Sequence, residues 1–380
     1  MQITVNDIIL NTIDYRGKTP PTSNFGIPII SAANVKRGRV IHNGEKFVSK
    51  EVYDKWTTRG FIKAGDILIT TEAPVGEVAP VPSDQTYLIT RRVIALQIDP
   101  SKANQKYLLY FLLTDSCRKA FEIIAHGSTV PRLYKDEILN LKINLPPLPT
   151  QHRIANILSA YDDLIENNNQ RINILAEMAQ QLYKEWFVRM RFPGWRETKM
   201  VKGVPEGWQV MELSQLIEIK NGKSAKIDSD GTYKVYGSNG QIGKSKNFNA
   251  EDSIIIGRVG AYCGSIIYES KTFWATDNTI VAKSKSARLC NIAAFFLLKA
   301  LNLRNLATGS AQPLLTQNLI GQIKVTVPTE KLNEKFKKIQ FPIFLQIELL
   351  TQKNTLLRQT RDLLLPRLIS GQLRVGEAEK

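Results

Sequence analysis

From Thr150 to Phe187 one set of residues recurs at alternating steps of four and three: Ile154, Leu158, Tyr161, Ile165, Asn168, Ile172, Leu175, Ala179, Leu182 and Trp186, all apolar except Asn168. That spacing predicts a long helix with a coiled-coil seam, on the order of 55 Å at about 1.5 Å per residue. A second pattern near the C-terminus carries the doublets Leu349-Leu350, Leu356-Leu357 and Leu363-Leu364, one heptad apart. Packing the two helices together is the simplest arrangement, because an isolated seam this apolar invites aggregation. Pro342 falls near the start of the second helix and is expected to kink or delay it.

Ahead of each helix lies a segment of short apolar runs punctuated by Gly, Pro and Asn. Gly65 to Thr70, Arg92 to Ile98 and Ser253 to Gly257 read as strands, while Gln105 to Ile123 and Ile292 to Leu303 carry apolar residues at helical spacing. The two segments are copies. Gly17-Lys18-Thr19 recurs as Gly222-Lys223-Ser224, Asn34 as Asn239 and Gly38 as Gly243, each offset by 205 (222 minus 17). Asp66 then matches Asp252 at an offset of 186, so the second copy lacks about a hairpin's worth of loop. From there Gly127-Ser128 recurs as Gly309-Ser310, and Lys142 to Pro146 as Lys324 to Pro328, at an offset of 182. The pattern therefore predicts mixed α/β (α+β) lobes with a strong β component: a first lobe over 1–149, a spacer helix over 150–190, a second lobe over 191–328, and a distal helix and tail over 329–380.

A net charge of +16 on 380 residues narrows the partners. Nucleic acid is the commonest partner of so basic a chain, because each Lys or Arg on a phosphate releases condensed counterions. The alternatives are a basic surface kept for solubility and an anionic membrane surface. The most apolar stretch, Ile292 to Leu298, is far short of the roughly 20 residues that span a bilayer, and Met1-Gln2-Ile3-Thr4 lacks a signal-peptide layout. Cys117, Cys263 and Cys290 are unclustered, which points to a reducing cytoplasm and away from a zinc site or disulfide frame.

Particular stretches give the resemblance. They are Gly17-Lys18-Thr19-Pro20; Leu145-Pro146-Pro147-Leu148 leading through Gln151 and Ile154 into the first helix; Leu182 to Arg189 with Arg191-Phe192-Pro193-Gly194; Pro205-Glu206-Gly207-Trp208; Tyr236 to Gly240; and Leu364-Leu365-Pro366-Arg367-Leu368-Ile369-Ser370-Gly371. In this order and at this repeat spacing, the chain resembles the specificity subunit of a Type I restriction-modification system over nearly its whole length. The resemblance implies a pseudo-twofold repeat of two target recognition domains, each on one half of a split double-stranded DNA target. Two long antiparallel coiled-coil-like helices would act as a ruler between them and as the docking surface for two modification (methyltransferase) subunits and for restriction or motor subunits. It also implies no catalysis, cofactor or metal in this chain, with S-adenosylmethionine, ATP and Mg in the partners. One departure stands at Pro328-Thr329-Glu330-Lys331, which lacks the Pro-Pro-Leu of the first copy and leaves the start of the distal helix unmarked.

Loop donors are the candidate DNA contacts: Lys18, Asn34, Lys36, Arg37, Arg39, Arg91, Arg92 and Arg132 in the first lobe, and Lys223, Lys226, Ser238, Asn239, Lys244, Lys246, Arg258 and Arg304 in the second. Arg can fork onto guanine and Asn onto adenine, whereas Lys more often meets phosphate; the bland alternative for each is a solvated charge. Asn168 and Asn354 fall near the middle of the two seams and are expected to meet and fix the register of an antiparallel pair.

Catalytic patterns are incomplete. Ser238 to Ser245 has a P-loop outline without its first Gly or a following apolar helix, and Asn144-Leu145-Pro146-Pro147 splits the amino-methyltransferase motif with Leu145. His42, His126 and His152 stand in three separate contexts. Asp252 with Glu269-Ser270-Lys271 has the rough outline of a metal site, which keeps a stand-alone metal-dependent DNA-cleaving enzyme as the competing reading.

Overall fold

A computed structural model, which describes residues 2–15, 19–42, 44, 46–309 and 313–376, gives the chain a mixed α/β architecture built twice. The seams become the helices Leu148–Tyr183 and Glu330–Ile369. Every one of the first seam's positions from Ile154 to Trp186 is buried or half-buried. In each leucine doublet the second residue turns inward, while Leu349, Leu356 and Leu363 stay exposed. The central helix ends in a wider π turn, Lys184–Val188, where Arg189 N–H donates to Lys184 O at 2.8 Å.

The chain divides into two units, Met1–Asn167 with Lys353–Lys380 and Asn168–Gln352. Each unit therefore holds one β-rich lobe and a stretch of both long helices. In unit one, Tyr107, Tyr110, Ile154, Leu158 and Leu368 form one apolar cluster, and Asp162 pairs with Arg361 while accepting the Tyr110 hydroxyl at 2.5 Å. In unit two, Tyr183 meets Phe336 with ring centroids 6.2 Å apart, and Gln340 Nε2 donates to Ala179 O at 2.8 Å. Ascending positions on one helix face descending ones on the other, so these stretches run antiparallel.

Strands Ile9–Ile13, Val93–Ile98, Ile67–Thr70 and Val78–Pro80 form an antiparallel sheet in unit one. Both of its faces are covered, which is why its strands read as apolar runs rather than alternations. Leu68, Val93 and Ala95 enter one core, and Ile67, Ile69, Ile94 and Leu96 the other. Unit two has a six-stranded sheet in the order Ile217–Asn221, Thr279–Ser284, Ala250–Gly257, Ile266–Ala275, Tyr233–Gly237, Gly240–Ser245.

Four details differ from the sequence expectation. Pro342 does not delay the distal helix, which already starts at Glu330 and continues to Ile369. Pro342 and Lys338, whose carbonyl loses its N–H partner, are both exposed, so water takes the orphan acceptor. Without a Pro-Pro-Leu, Thr329 caps the helix by accepting Leu332 N–H at 3.3 Å. Gln105 to Ile123 is two helices, Gln105–Leu112 and Asp115–Ile124, because the Thr114 hydroxyl accepts Cys117 N–H at 3.3 Å and starts a new one. The missing loop is more than a hairpin: Phe47–Val48 keeps a counterpart in Lys244–Ser245, which closes the matching antiparallel pair, but the helix Lys50–Trp56 has none. Among the described residues no helix is long and apolar enough to cross a membrane.

Candidate nucleic-acid interface

In unit one, Val35–Lys36 and Arg39–Val40 pair antiparallel around Arg37 and Gly38, whose φ values of 39° and 84° suit a type I′ turn. Arg37 holds this unfavourable backbone because its N–H donates to Glu77 Oε2 at 2.7 Å. The turn leaves Lys36, Arg37 and Arg39 exposed together. Asn34 has a different role. Its Oδ1 accepts from the Ser31 N–H (3.0 Å) and hydroxyl (2.6 Å) and its Nδ2 donates to Ile41 O (2.9 Å), so its amide braces the base of the hairpin. On the distal helix Arg358 is near enough to this turn that, after burial, repulsion from Arg39 and Arg361 pushes its guanidinium pKa down.

Arg91 is exposed, whereas Arg92 and Arg132 converge on Glu72. Arg132 Nε donates to Glu72 Oε1 at 2.5 Å, with its Nη2 on the same oxygen. Arg92 Nε lies 3.2 Å from Oε2, an ion-pair contact out of line for a hydrogen bond. Lys18 lies outside the described residues.

Unit two sorts its candidates into two groups. Ser238 Oγ and Arg258 N–H both donate to Asn278 O, at 2.5 and 2.9 Å, and Arg258 Nη1 donates to Asp277 O at 3.3 Å. Arg304 Nη1 donates to Ala261 O at 3.1 Å, bracing a loop on which Tyr262 stands 59% exposed. Asn239 is exposed at the turn beside Ser238, and Lys223 is tied to the same end of the sheet through Ala275 O at 3.0 Å. Lys244 and Lys246 form the second group with the segment carrying Lys226: Asp228 N–H donates to Lys244 O at 2.9 Å, and Lys246 Nζ pairs with Asp230 at 2.8 Å.

One backbone frame underlies both units. In unit one Thr71 N–H donates to Arg92 O and Leu133 N–H to Thr71 O, both at 2.9 Å, and His126 and Arg132 exchange two bonds of 2.8 Å. In unit two Arg258 N–H donates to Asn278 O and Leu315 N–H to Arg258 O, both at 2.9 Å, and Thr308 and Leu314 exchange bonds of 3.0 and 2.8 Å. Glu72 bridges to Arg132 as Val259 bridges to Leu314. Backbone matches backbone while the side chains differ: Glu72, Arg92 and Arg132 stand where Val259, Asn278 and Leu314 stand.

The carboxylates of the outlined metal site are engaged by their neighbours. Glu269 Oε2 accepts from Lys234 Nζ (2.8 Å) and Tyr236 OH (2.7 Å). Burial works to raise its pKa, but these bonds and the Lys234 charge outweigh it and hold the group below its usual value. Asp252 sits at a bulge with φ of 40° and accepts from Tyr268 OH (2.6 Å) and Asn291 Nδ2 (2.9 Å). Lys271 pairs with Glu348 at 2.6 Å. Among the described residues no group of three His, Cys, Asp or Glu is placed to hold a metal ion. The P-loop-like stretch is the turn and strand Gly240–Ser245 of a β-hairpin. Asn168, in unit two, and Asn354, in unit one, are each buried.

The sequence profile described as the Type I restriction modification DNA specificity domain matches residues 9–177 and again 205–359. The MjaIX specificity subunit of a Type I restriction enzyme in Methanocaldococcus jannaschii is 26% identical, with 95% of this chain and 91% of that one covered. The HindI specificity subunit of Haemophilus influenzae is 23% identical, with 89% and 94% covered. A crystal structure of the Type I restriction-modification S subunit from M. genitalium shares the fold at a TM-score of 0.63 and 19% identity, covering 97% of this chain and 95% of that one.

Proposed function

This chain belongs to the family of Type I restriction modification DNA specificity proteins, and on that premise we propose that it reads a split double-stranded DNA target, one half with each unit. Family membership makes it the specificity subunit, with catalysis left to partners. The observation that carries the split is the frame built twice with different side chains: a shared backbone presents unlike chemistry, as two readers of two unlike half-sites require. Phosphate contacts from lysines such as Lys36, Lys223 and Lys244 position the units, and base-edge contacts from the braced loops specify.

The exposed apolar residues of the helices support docking of partner subunits. Leu356 (63% exposed) and Leu363 (71%) in unit one, and Ile174 (58%) and Met178 (54%) in unit two, lie on helices whose other faces are packed. Leu356 and Leu363 recur one heptad apart and Ile174 and Met178 one helical turn apart, so each pair lies along one side of its helix as a docking stripe would. Two modification subunits occupy these faces, with restriction or motor subunits beyond them. S-adenosylmethionine, ATP and Mg act in those partners, in the cytoplasm and on the nucleoid. The test is to map methylated adenines in cells carrying this chain with its modification subunits. A split motif with one modified adenine in each half supports the reading, and a continuous motif contradicts it.

A further inference from the structure

We propose that Glu72 is a positioning residue that aligns Arg92 and Arg132 to read guanine in the half-site of unit one, an inference that rests on the two-unit reading above. Glu72 is the anion of the cluster and its side chain is only 13% exposed, whereas Arg92 and Arg132 above it are 44% and 54% exposed. Two guanidinium groups on one carboxylate leave a net positive, outward-facing pair. Arg132 is fixed along its Nε and Nη2 edge with its side chain half exposed, and Arg92, whose shielded Nε has no hydrogen-bond partner, faces Glu72 through an ion-pair contact alone. A preoriented guanidinium with open donors is what guanine O6 and N7 accept, and presetting it lowers the ordering cost of binding.

Stability alone does not account for the cluster. Unit two folds the same loop frame around Val259, Asn278 and Leu314, with no ionisable side chain at these three positions. The frame is also stiff where it carries the cluster. Arg132 is locked to His126 by two bonds of 2.8 Å, and Thr71, next to Glu72, is tied to both Arg92 and Leu133 at 2.9 Å. All three side chains thus project from fixed backbone, as a specificity element requires.

The experiment assembles the full chain with its modification subunits and measures methylation of a target library randomised across the first half-site. The wild type and three variants are compared: Glu72→Gln, Arg132→Lys, and the triple change Glu72→Val, Arg92→Asn, Arg132→Leu, which installs side chains that the frame already accommodates in unit two. The wild type is expected to require guanine at one or two first-half positions. Each variant is expected to lose roughly tenfold or more of that discrimination, with the second half-site unchanged and the triple variant's thermal midpoint close to that of the wild type. A wild-type first half-site without guanine overturns the proposal while leaving the two-unit reading intact, as does a Glu72→Gln variant that keeps full discrimination. A wild type with no split target overturns both.

Discussion

Asn333 does for the second unit what Gln151 does for the first. Gln151, near the start of the central helix, accepts Asn104 N–H at 2.9 Å and donates to Pro146 O at 2.9 Å. Asn333, in the matching turn of the distal helix, accepts Cys290 N–H at 3.1 Å and donates to Ala287 O at 2.7 Å. Both side chains are buried, and each ties its long helix to the start of the short helix that packs beside it. The docking of helix on lobe is therefore repeated through one amide, even though the residues around it differ.

Replacing either amide should loosen its own unit. Gln151→Ala and Asn333→Ala each leave a backbone N–H without its partner, at a cost of about 1–3 kcal/mol. Chemical denaturation with amide hydrogen exchange should show the loss confined to unit one for Gln151→Ala and to unit two for Asn333→Ala.

Acid should weaken unit two through Glu269. Its pKa lies below the ordinary 4.5 in the folded chain, so its stabilising bonds are fully present above 4.5 and are lost as pH falls through the lower folded value. Glu269→Gln should cost about 1–3 kcal/mol at neutral pH. That gap should narrow as denaturation is repeated from about pH 5 down to about pH 3.

The thiols provide a check on packing. Cys117 is buried and burial pushes its pKa up to about 12, so the thiolate that reacts with alkylating agents is scarce at neutral pH. Iodoacetamide should leave Cys117 unmodified in the folded protein and label it readily in denaturant, as read by peptide mass mapping.

Helices and repeat were legible because their signals are periodic or local. The seam from Ile154 to Trp186 repeats many times, and strand-like stretches such as Gly65 to Thr70 admit few alternatives. Solvent exposure decided the fate of Pro342, and a proline read without its helix face gives no sign of that. Asn34 illustrates a missed local signal: Ser31-Ala32-Ala33-Asn34 has the spacing of a capping box, and its amide is engaged there. The Glu72 cluster had no signal at all, since Arg132 is 60 residues away and only the fold brings them together.

Partner docking should fail without loss of fold when its apolar residues are charged. Leu356→Asp and Leu363→Asp replace exposed side chains, so the thermal midpoint should change little. Size-exclusion chromatography with the modification subunits should show at least a tenfold weaker complex if these leucines lie at its centre.

Each unit is proposed to read its own half of the target, so exchanging one lobe should move one half alone. Residues 2–145 are replaced by the matching segment of a relative with a different target, the chimera is expressed with the modification subunits, and methylated adenines are mapped across the genome. One half of the motif is expected to change to that of the relative, while the other half stays as it was. A motif altered in both halves, or in neither, would contradict it.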